Sequence, residues 1–192
     1  VQAIMAGGRG AVFRSREGAE DAPRPALQAI RRRVQPGDVV VGISASSVTP
    51  FVAAALRAAR RRGATCILLS CHPRARLPVD VLIAPRVGPE LIAGSTRLKA
   101  ATATKLILNM VTVATMVRLG KVYGNLMVDV RPTSRKLKAR AIGIIGHIAG
   151  VSRTRAHALL RQARGHVKPA IVMAALNVDY PTARRRLAHT HG

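Results

Sequence analysis

Short apolar runs alternate with helical patterns over the first half of the chain. Three of these runs are typical of buried strands: 39–44, 65–70 and 81–84. A helical pattern lies between the first two runs, from Pro50 to about Arg62. Thr49 stands where it would cap this helix, and Gly63 where it would end it. Strands alternating with helices predict an α/β fold, with a parallel sheet covered by helices.

The second half of the chain is predicted to be helical. A long pattern over 96–119 is apolar on nearly every side, which favours a helix packed centrally between the sheet and a partner. From Arg135 onward only helical patterns occur. Three short helices are predicted to begin at or directly after Ser152, Pro169 and Pro181. This change of character predicts a domain boundary near residue 138, with an α/β domain over 1–138 and a helical bundle over 139–192.

Composition and charge narrow the classes of function. The chain has 192 residues, of which 48% are hydrophobic, so it can bury a core and is not a disordered tail. Its 32 Lys and Arg residues against 8 Asp and Glu give a formal net charge of +24, which attracts anionic partners. With Trp 0, Tyr 2 and Phe 2, it has no stacking platform for single strands. Nucleic acid is therefore expected to bind only non-specifically, by electrostatic attraction.

Several familiar features are not predicted. The apolar run 106–117 is shorter than the about 20 residues that span a bilayer, and no secretory signal pattern is found, so we expect a cytoplasmic protein without a membrane span. Cys66 and Cys71 share one predicted strand, where about 3.3 Å per residue separates them by about 16 Å, too far for a disulfide. These cysteines and His72 do not have the spacing of a zinc site, so no metal is expected.

A strand-to-helix loop rich in hydroxyl groups is the first candidate site. Ser44, Ser46, Ser47 and Thr49 all fall within residues 44–49. Open α/β sheets bind ligands at the carboxyl ends of their strands, and the free N–H groups at a helix start attract phosphate. The alternative is that Thr49 merely caps a helix and that the serines are ordinary loop residues.

A second hydroxyl-rich segment opens the long helix. Ser95, Thr96 and Lys99 could converge there on an anion, with the lysine acting as a compact positive charge. An ordinary helix cap is again the alternative. The chain has neither GxxxxGK[ST] nor GxGxxG, so neither familiar nucleotide-binding loop is indicated.

Acidic residues are scarce, and three of the 8 lie together at Glu17, Glu20 and Asp21. A carboxyl group in a pocket can donate or accept a proton during catalysis. The alternative is a solvated turn that neutralises nearby arginines.

Five strings of residues occur in a fixed order along the chain. They are Met-Ala-Gly-Gly at 5–8, Glu-Gly-Ala-Glu-Asp at 17–21, Asp-Val-Val-Val-Gly-Ile at 38–43, Gly-Ser-Thr-Arg-Leu-Lys-Ala at 94–100 and Gly-Lys-Val-Tyr-Gly-Asn-Leu-Met-Val-Asp-Val at 120–130. This set resembles the bacterial N-acetylmuramic acid 6-phosphate etherases over essentially the whole chain. The resemblance implies a three-layer sugar isomerase (SIS) domain that lacks its N-terminal part, followed by a bundle resembling a ubiquitin-associated domain.

The resemblance also implies a function. Members of this family are cofactor-free carbon–oxygen lyases of cell-wall recycling, which remove D-lactate from N-acetylmuramic acid 6-phosphate and leave N-acetylglucosamine 6-phosphate. Two carboxyl groups usually move the protons, and the resemblance places one of them on Glu20 and the other upstream of Val1. It further implies a homodimer that binds a phosphorylated amino sugar. The expected ligands of that sugar are Ser46, Ser47, Thr49, Ser95, Thr96 and Lys99.

Two loops depart from the family pattern. Where the family usually reads Ala-Ser-Gly-Arg-Thr-Pro-Tyr, residues 45–51 read Ala-Ser-Ser-Val-Thr-Pro-Phe. Where it reads Lys-Ala-Gly-Thr-Ala-Gln-Lys, residues 99–105 read Lys-Ala-Ala-Thr-Ala-Thr-Lys. Replacing the glycine removes close backbone approach to a ligand, and replacing the arginine removes a charge. A non-catalytic regulator that binds a sugar phosphate on the same SIS domain is therefore the alternative.

Overall fold

The computed structural model describes residues 1–46, 49–72 and 77–189. The chain forms two compact units, 1–108 and 109–192, which are described separately. The domain boundary predicted near residue 138 falls inside the second unit, within helix α4, Arg135–Ala149. This helix packs against the helices that follow it, so the whole of α4 belongs to the helical bundle.

A three-stranded parallel sheet forms the centre of the first unit. Its strands are β1 (Val39–Ile43), β2 (Thr65–Leu69) and β3 (Val81–Ile83), in the spatial order β1-β2-β3. Helix α1 (Pro23–Arg33) precedes the sheet, and helix α2 (Pro50–Arg61) joins β1 to β2. The α/β class and the predicted strand and helix bounds are confirmed to within one residue. Gly63 follows α2 with a φ of 77°, a left-handed conformation that favours glycine.

The core of the first unit lies between α1, α2 and one face of the sheet. It contains Ile30, Leu56, Cys66 and Leu68, all at most 1% exposed. The opposite side of β1 is open, because the alternate residues Val39, Val41 and Ile43 are 61%, 38% and 44% exposed. In the described part of the chain, the second helical layer of the predicted three-layer fold therefore does not cover this side of β1.

Helix α3, Lys99–Arg118, begins three residues later than predicted. Its predicted central packing is wrong: Ala100 is its one buried residue, and Met110 and Val113 are 64% and 62% exposed. The apolar pattern indicated burial, but most residues of the helix are exposed or half-buried. By its length, and by a mean hydropathy of 1.4 over its most apolar window, α3 could cross a membrane. This corrects the expectation, based on the shorter run 106–117, that the apolar segment is too short to do so. A single helix of this kind is weak evidence for a span.

The second unit contains a short hairpin and a bundle of helices. Strands β4 (Val122–Tyr123) and β5 (Leu126–Met127) pair antiparallel. The helices after them are α4, α5 (Arg153–Gln162), α6 (Val167–Leu176) and α7 (Tyr180–His189). Helices α6 and α7 begin shortly before the prolines predicted to start them, because proline is tolerated in a first helical turn. The likeness of this bundle to a ubiquitin-associated domain stays a prediction.

The helical bundle is held by local caps and a continuous apolar core. The Ser134 and Ser152 hydroxyls accept hydrogen bonds from Leu137 N and Arg155 N, each at 3.2 Å, so the predicted Ser152 cap is confirmed. The helices bury an apolar cluster that includes Ile145, Leu159 and Val167.

Candidate functional site

A cavity of about 990 Å³ runs along β1 to its carboxyl end in the first unit. Four of the predicted site residues line it: Glu20, Ser46, Thr49 and Thr96. The described walls of the cavity do not include Ser95 or Lys99. Ser47 lies outside the described residues. The tertiary structure therefore joins the acidic turn and both hydroxyl-rich loops at one cavity.

A partly buried hydrogen bond organises the loop between β1 and α2. The hydroxyl oxygens of Ser44 and Thr49 are 2.8 Å apart, and Ser44 is only 5% exposed. Thr49 occupies the N-cap position of α2, but its side chain accepts no hydrogen bond from the helix, which corrects the predicted cap. Pro50 has no N–H, and in a first helical turn the N–H groups of Phe51 and Val52 have no partner within the helix. Both residues line the cavity. The positive end of α2 therefore borders the cavity, where it favours an anion.

A second buried hydroxyl lies at the end of the neighbouring strand. Ser70 is 1% exposed, and its hydroxyl donates to the Ala45 carbonyl oxygen at 3.4 Å and accepts from His72 N at 3.1 Å. The Ser44 N–H donates to the Leu69 carbonyl oxygen at 3.0 Å. These bonds anchor the start of the β1–α2 loop to β2. Sequence reasoning missed these contacts between the two strand ends. The signal that could have found them is the serine directly after each strand, Ser44 after β1 and Ser70 after β2.

The acidic turn brings Glu20 to the cavity. Glu20 lies in a 3₁₀ turn, Ala19–Asp21, which follows Gly18 in the left-handed conformation with φ 71°. The turn packs against α2, and the exposed Glu20 side chain lines the cavity beside that helix start. A carboxyl group so placed can exchange a proton with a ligand held in the cavity.

The start of α3 is occupied by a carboxylate from the same chain. Glu90 accepts hydrogen bonds from Lys99 N and from Ala100 N, each at 3.0 Å. These bonds, with that from Ala100 the stronger influence, hold the pKa of the Glu90 carboxyl below its ordinary value. The Lys99 ammonium donates to the Pro89 carbonyl oxygen at 2.8 Å. Of the side chains predicted to meet an anion at α3, Lys99 is thus already bonded to Pro89, and sequence reasoning missed Glu90 altogether.

The described residues include no group of three or more His, Cys, Asp and Glu side chains arranged to hold a metal ion. Cys66 and Cys71 are both free thiols. Burial, followed by the charge of Asp80, raises the pKa of the Cys66 thiol, so it stays protonated at neutral pH. Its Sγ donates to the Leu56 carbonyl oxygen at 3.4 Å, which indicates a packing role.

The parallel sheet with its flanking helices makes the first unit an α/β fold, and a family match over its first part identifies it as an SIS domain. Residues 1–60, which contain Glu20, β1 and the start of α2, match the family described as "Glucokinase regulatory protein N-terminal SIS domain". Relatives named N-acetylmuramic acid 6-phosphate etherase match nearly the whole chain. That of Salinibacter ruber is 52% identical over 196 residues, covering 100% of this chain and 63% of the relative.

Two further relatives with this name are similar. The protein of Symbiobacterium thermophilum is 50% identical over 174 residues, covering 90% of this chain and 58% of the relative. That of Salmonella paratyphi A is 43% identical over 195 residues, covering 100% of this chain and 66% of the relative. The chain belongs to the N-acetylmuramic acid 6-phosphate etherase family. It spans about three fifths of the length of the curated relatives it matches.

Proposed function

We propose that the protein is a carbon–oxygen lyase that converts N-acetylmuramic acid 6-phosphate and water to N-acetylglucosamine 6-phosphate and D-lactate. One observation carries the proposal: Glu20 lines the same cavity as the hydroxyl-bearing residues Ser46, Thr49 and Thr96. The names of the relatives support the substrate. A role in cytoplasmic recycling of the cell wall follows from this substrate.

The sugar phosphate is proposed to bind at the start of α2. The N–H groups of Phe51 and Val52 and the positive end of the helix would meet its negative charge. Ser46 and Thr49 would donate hydroxyl hydrogen bonds from the β1–α2 loop, and Thr96 from the loop before α3. Ser47, Ser95 and Lys99 remain proposed ligands; Ser95 adjoins Thr96, and Lys99 adds positive charge near the same loop.

Glu20 is proposed as one of the two groups that move protons. A base removes the proton beside the sugar aldehyde, and its electron pair forms a carbon–carbon double bond as the carbon–oxygen bond to lactate breaks. The departing lactate oxygen takes a proton from an acid. Water then adds to the double bond, and a proton returns to the carbon beside the aldehyde. The second carboxyl group belongs, by the resemblance, to sequence outside this chain.

A regulator that binds a sugar phosphate without turnover is the second candidate. It is favoured by the composition of the β1–α2 loop, which keeps Ser46 and Thr49 but has Ser47 and Val48 in place of the usual glycine and arginine. Binding without release of D-lactate would support this candidate over the lyase.

Substitution of Ser46 by Ala is expected to weaken binding of N-acetylglucosamine 6-phosphate about tenfold. A hydrogen bond to a charged group contributes about 1.5–3 kcal/mol, and at least one such bond would be lost. Titration calorimetry measures the effect. Ser15→Ala is the matched control, because the Ser15 hydroxyl donates to Glu17, and Ser15 does not line the described cavity. Failure of the unsubstituted protein to bind would contradict both candidates.

We also propose that two copies associate through α3. Met110, Val113 and Val117 form one stripe along the helix at spacings of three and four residues, and they are 64%, 62% and 50% exposed. An apolar stripe of this kind at the surface is typical of a helix that packs against a partner.

Substitution of Met110 by Lys is expected to shift the protein from dimer to monomer in sedimentation experiments, because an ammonium group would be buried in the contact. Thr115→Lys places the same charge on the opposite side of α3 and should leave the dimer intact. A protein that is already monomeric at high concentration would rule out this association.

A further inference from the structure

The Glu90 side chain joins the two ends of a loop that forms part of the cavity wall. Its two carboxylate oxygens bind Lys99 N and Ala100 N, each at 3.0 Å. Beside it, the Lys99 ammonium binds the Pro89 carbonyl oxygen at 2.8 Å. Three hydrogen bonds therefore join the two ends of the segment 91–98, which contains both Gly94 and Thr96 of the cavity wall.

This contact differs from the other side-chain caps of the protein. Ser134, Ser152 and Asp179 each cap a helix through an N–H group three residues further along. Glu90 acts on N–H groups nine and ten residues away. A local cap fixes only the first turn of its helix, whereas the Glu90 contact also fixes the path of the loop in between.

Apolar burial does little to hold this loop. Its large apolar residues Leu91, Ile92 and Leu98 are 84%, 65% and 50% exposed. Within the loop, Ser95 N–H donates to the Ile92 carbonyl oxygen at 3.0 Å, and Gly94 adopts a left-handed φ of 81°. The position of Thr96 at the cavity therefore depends chiefly on the bonds made by the Glu90 carboxylate and by Lys99.

We propose that Glu90 is a positioning residue of the sugar-phosphate site, holding the loop 91–98 so that Thr96 reaches the ligand. The inference rests on the proposed function. Glu90 itself touches neither substrate nor reacting atoms; its carboxylate acts through the backbone of α3. It also fills the start of α3, whereas Thr49 makes no side-chain bond to the start of α2.

A double-mutant cycle on the whole chain tests this role. Titration calorimetry with N-acetylglucosamine 6-phosphate compares the unsubstituted protein with Glu90→Gln, Thr96→Val and the double variant. Glu90→Asp is added as a second variant, since it keeps the charge and shortens the reach. Asp179→Asn is the matched control, because Asp179 is also an exposed carboxylate that caps a helix, with Thr182 N at 3.0 Å, in the second unit.

We expect Glu90→Gln and Thr96→Val each to raise the Kd about tenfold, and the double variant to be about as weak as either single one. Glu90→Asp should fall between Glu90→Gln and the unsubstituted protein, and Asp179→Asn should bind normally. A general loss of stability would instead give effects that add in the double variant, which would overturn the inference.

Two other outcomes would overturn it as well. Unchanged or tighter binding by Glu90→Gln would show that the carboxylate is dispensable or that it competes with the phosphate. Either result, alongside normal binding by the unsubstituted protein, would leave the proposed function standing. No binding by the unsubstituted protein would overturn the proposed function, and the role of Glu90 with it.

Discussion

Replacing Glu20 by Gln is expected to lower the rate of D-lactate release by a factor of about 10² to 10⁴, the usual contribution of a general acid or base. The amide keeps the shape of the side chain but cannot take up and return a proton at neutral pH. Since Glu20 lies on the cavity wall in a turn packed against α2, the fold should not change. Binding of N-acetylglucosamine 6-phosphate should therefore persist.

The measurement is an assay of D-lactate formed from N-acetylmuramic acid 6-phosphate, using the protein with the sequence that flanks this chain in its gene. Glu17→Gln is the matched control. Glu17 belongs to the same acidic string, but it accepts a hydrogen bond from the Ser15 hydroxyl at 2.7 Å and does not line the described cavity. An intact rate in Glu20→Gln would remove Glu20 from the chemistry. An equal loss in Glu17→Gln would point to the general charge of the turn instead.

Replacing Gly42 by Ala is expected to destabilise the first unit by about 1–3 kcal/mol, the usual cost of overpacking a core. A Cβ atom at Gly42 would lie 2.6 Å from Leu56 Cδ1 and 2.9 Å from Val52 Cγ1. Leu56 is 1% exposed, so its side chain has little room to move. Because β1 and α2 would be forced apart beside the site, sugar-phosphate binding should weaken too.

Hydrogen exchange at the amides of β1, combined with denaturant unfolding, measures this loss within the first unit. Gly143→Ala is the matched control, since a Cβ at this helical position meets nothing within 4 Å. Alanine in place of a helical glycine should stabilise by about 0.5–1 kcal/mol. Equal stability of Gly42→Ala and the unsubstituted protein would mean that α2 can retreat from β1 without cost.

Much of the site could be predicted because its parts are local in sequence. The hydroxyl-rich loop after β1 and the acidic string both carry their chemistry within a few adjacent residues. Parallel strands direct such loops to one edge of a sheet, which is why Ser46 and Thr49 reach the cavity. The family resemblance supplied Glu20 as one of the two carboxyl groups that move protons, and in the structure Glu20 lines the same cavity.

Other features depend on contacts that a sequence pattern does not contain. The Thr49 hydroxyl bonds to Ser44 rather than to the helix it precedes, because the fold brings the buried Ser44 hydroxyl within 2.8 Å of it. Glu90 reaches the start of α3 across an irregular loop that follows no helical or strand period. Lys99 bonds to the Pro89 carbonyl oxygen, which its position at the head of a helix did not reveal.

The sequence by itself determined the parallel α/β sheet, the limits of α2 and the helices of the second unit, since hydrophobic period and the positions of proline and glycine act over a few residues. Only the tertiary structure decided that Glu90 fills the start of α3, and that most of α3 is exposed despite its apolar pattern. Both depend on which residues, far apart in sequence, the fold brings into contact. An apolar residue indicates a preference for burial, whereas its actual exposure is set by whichever neighbours the fold provides.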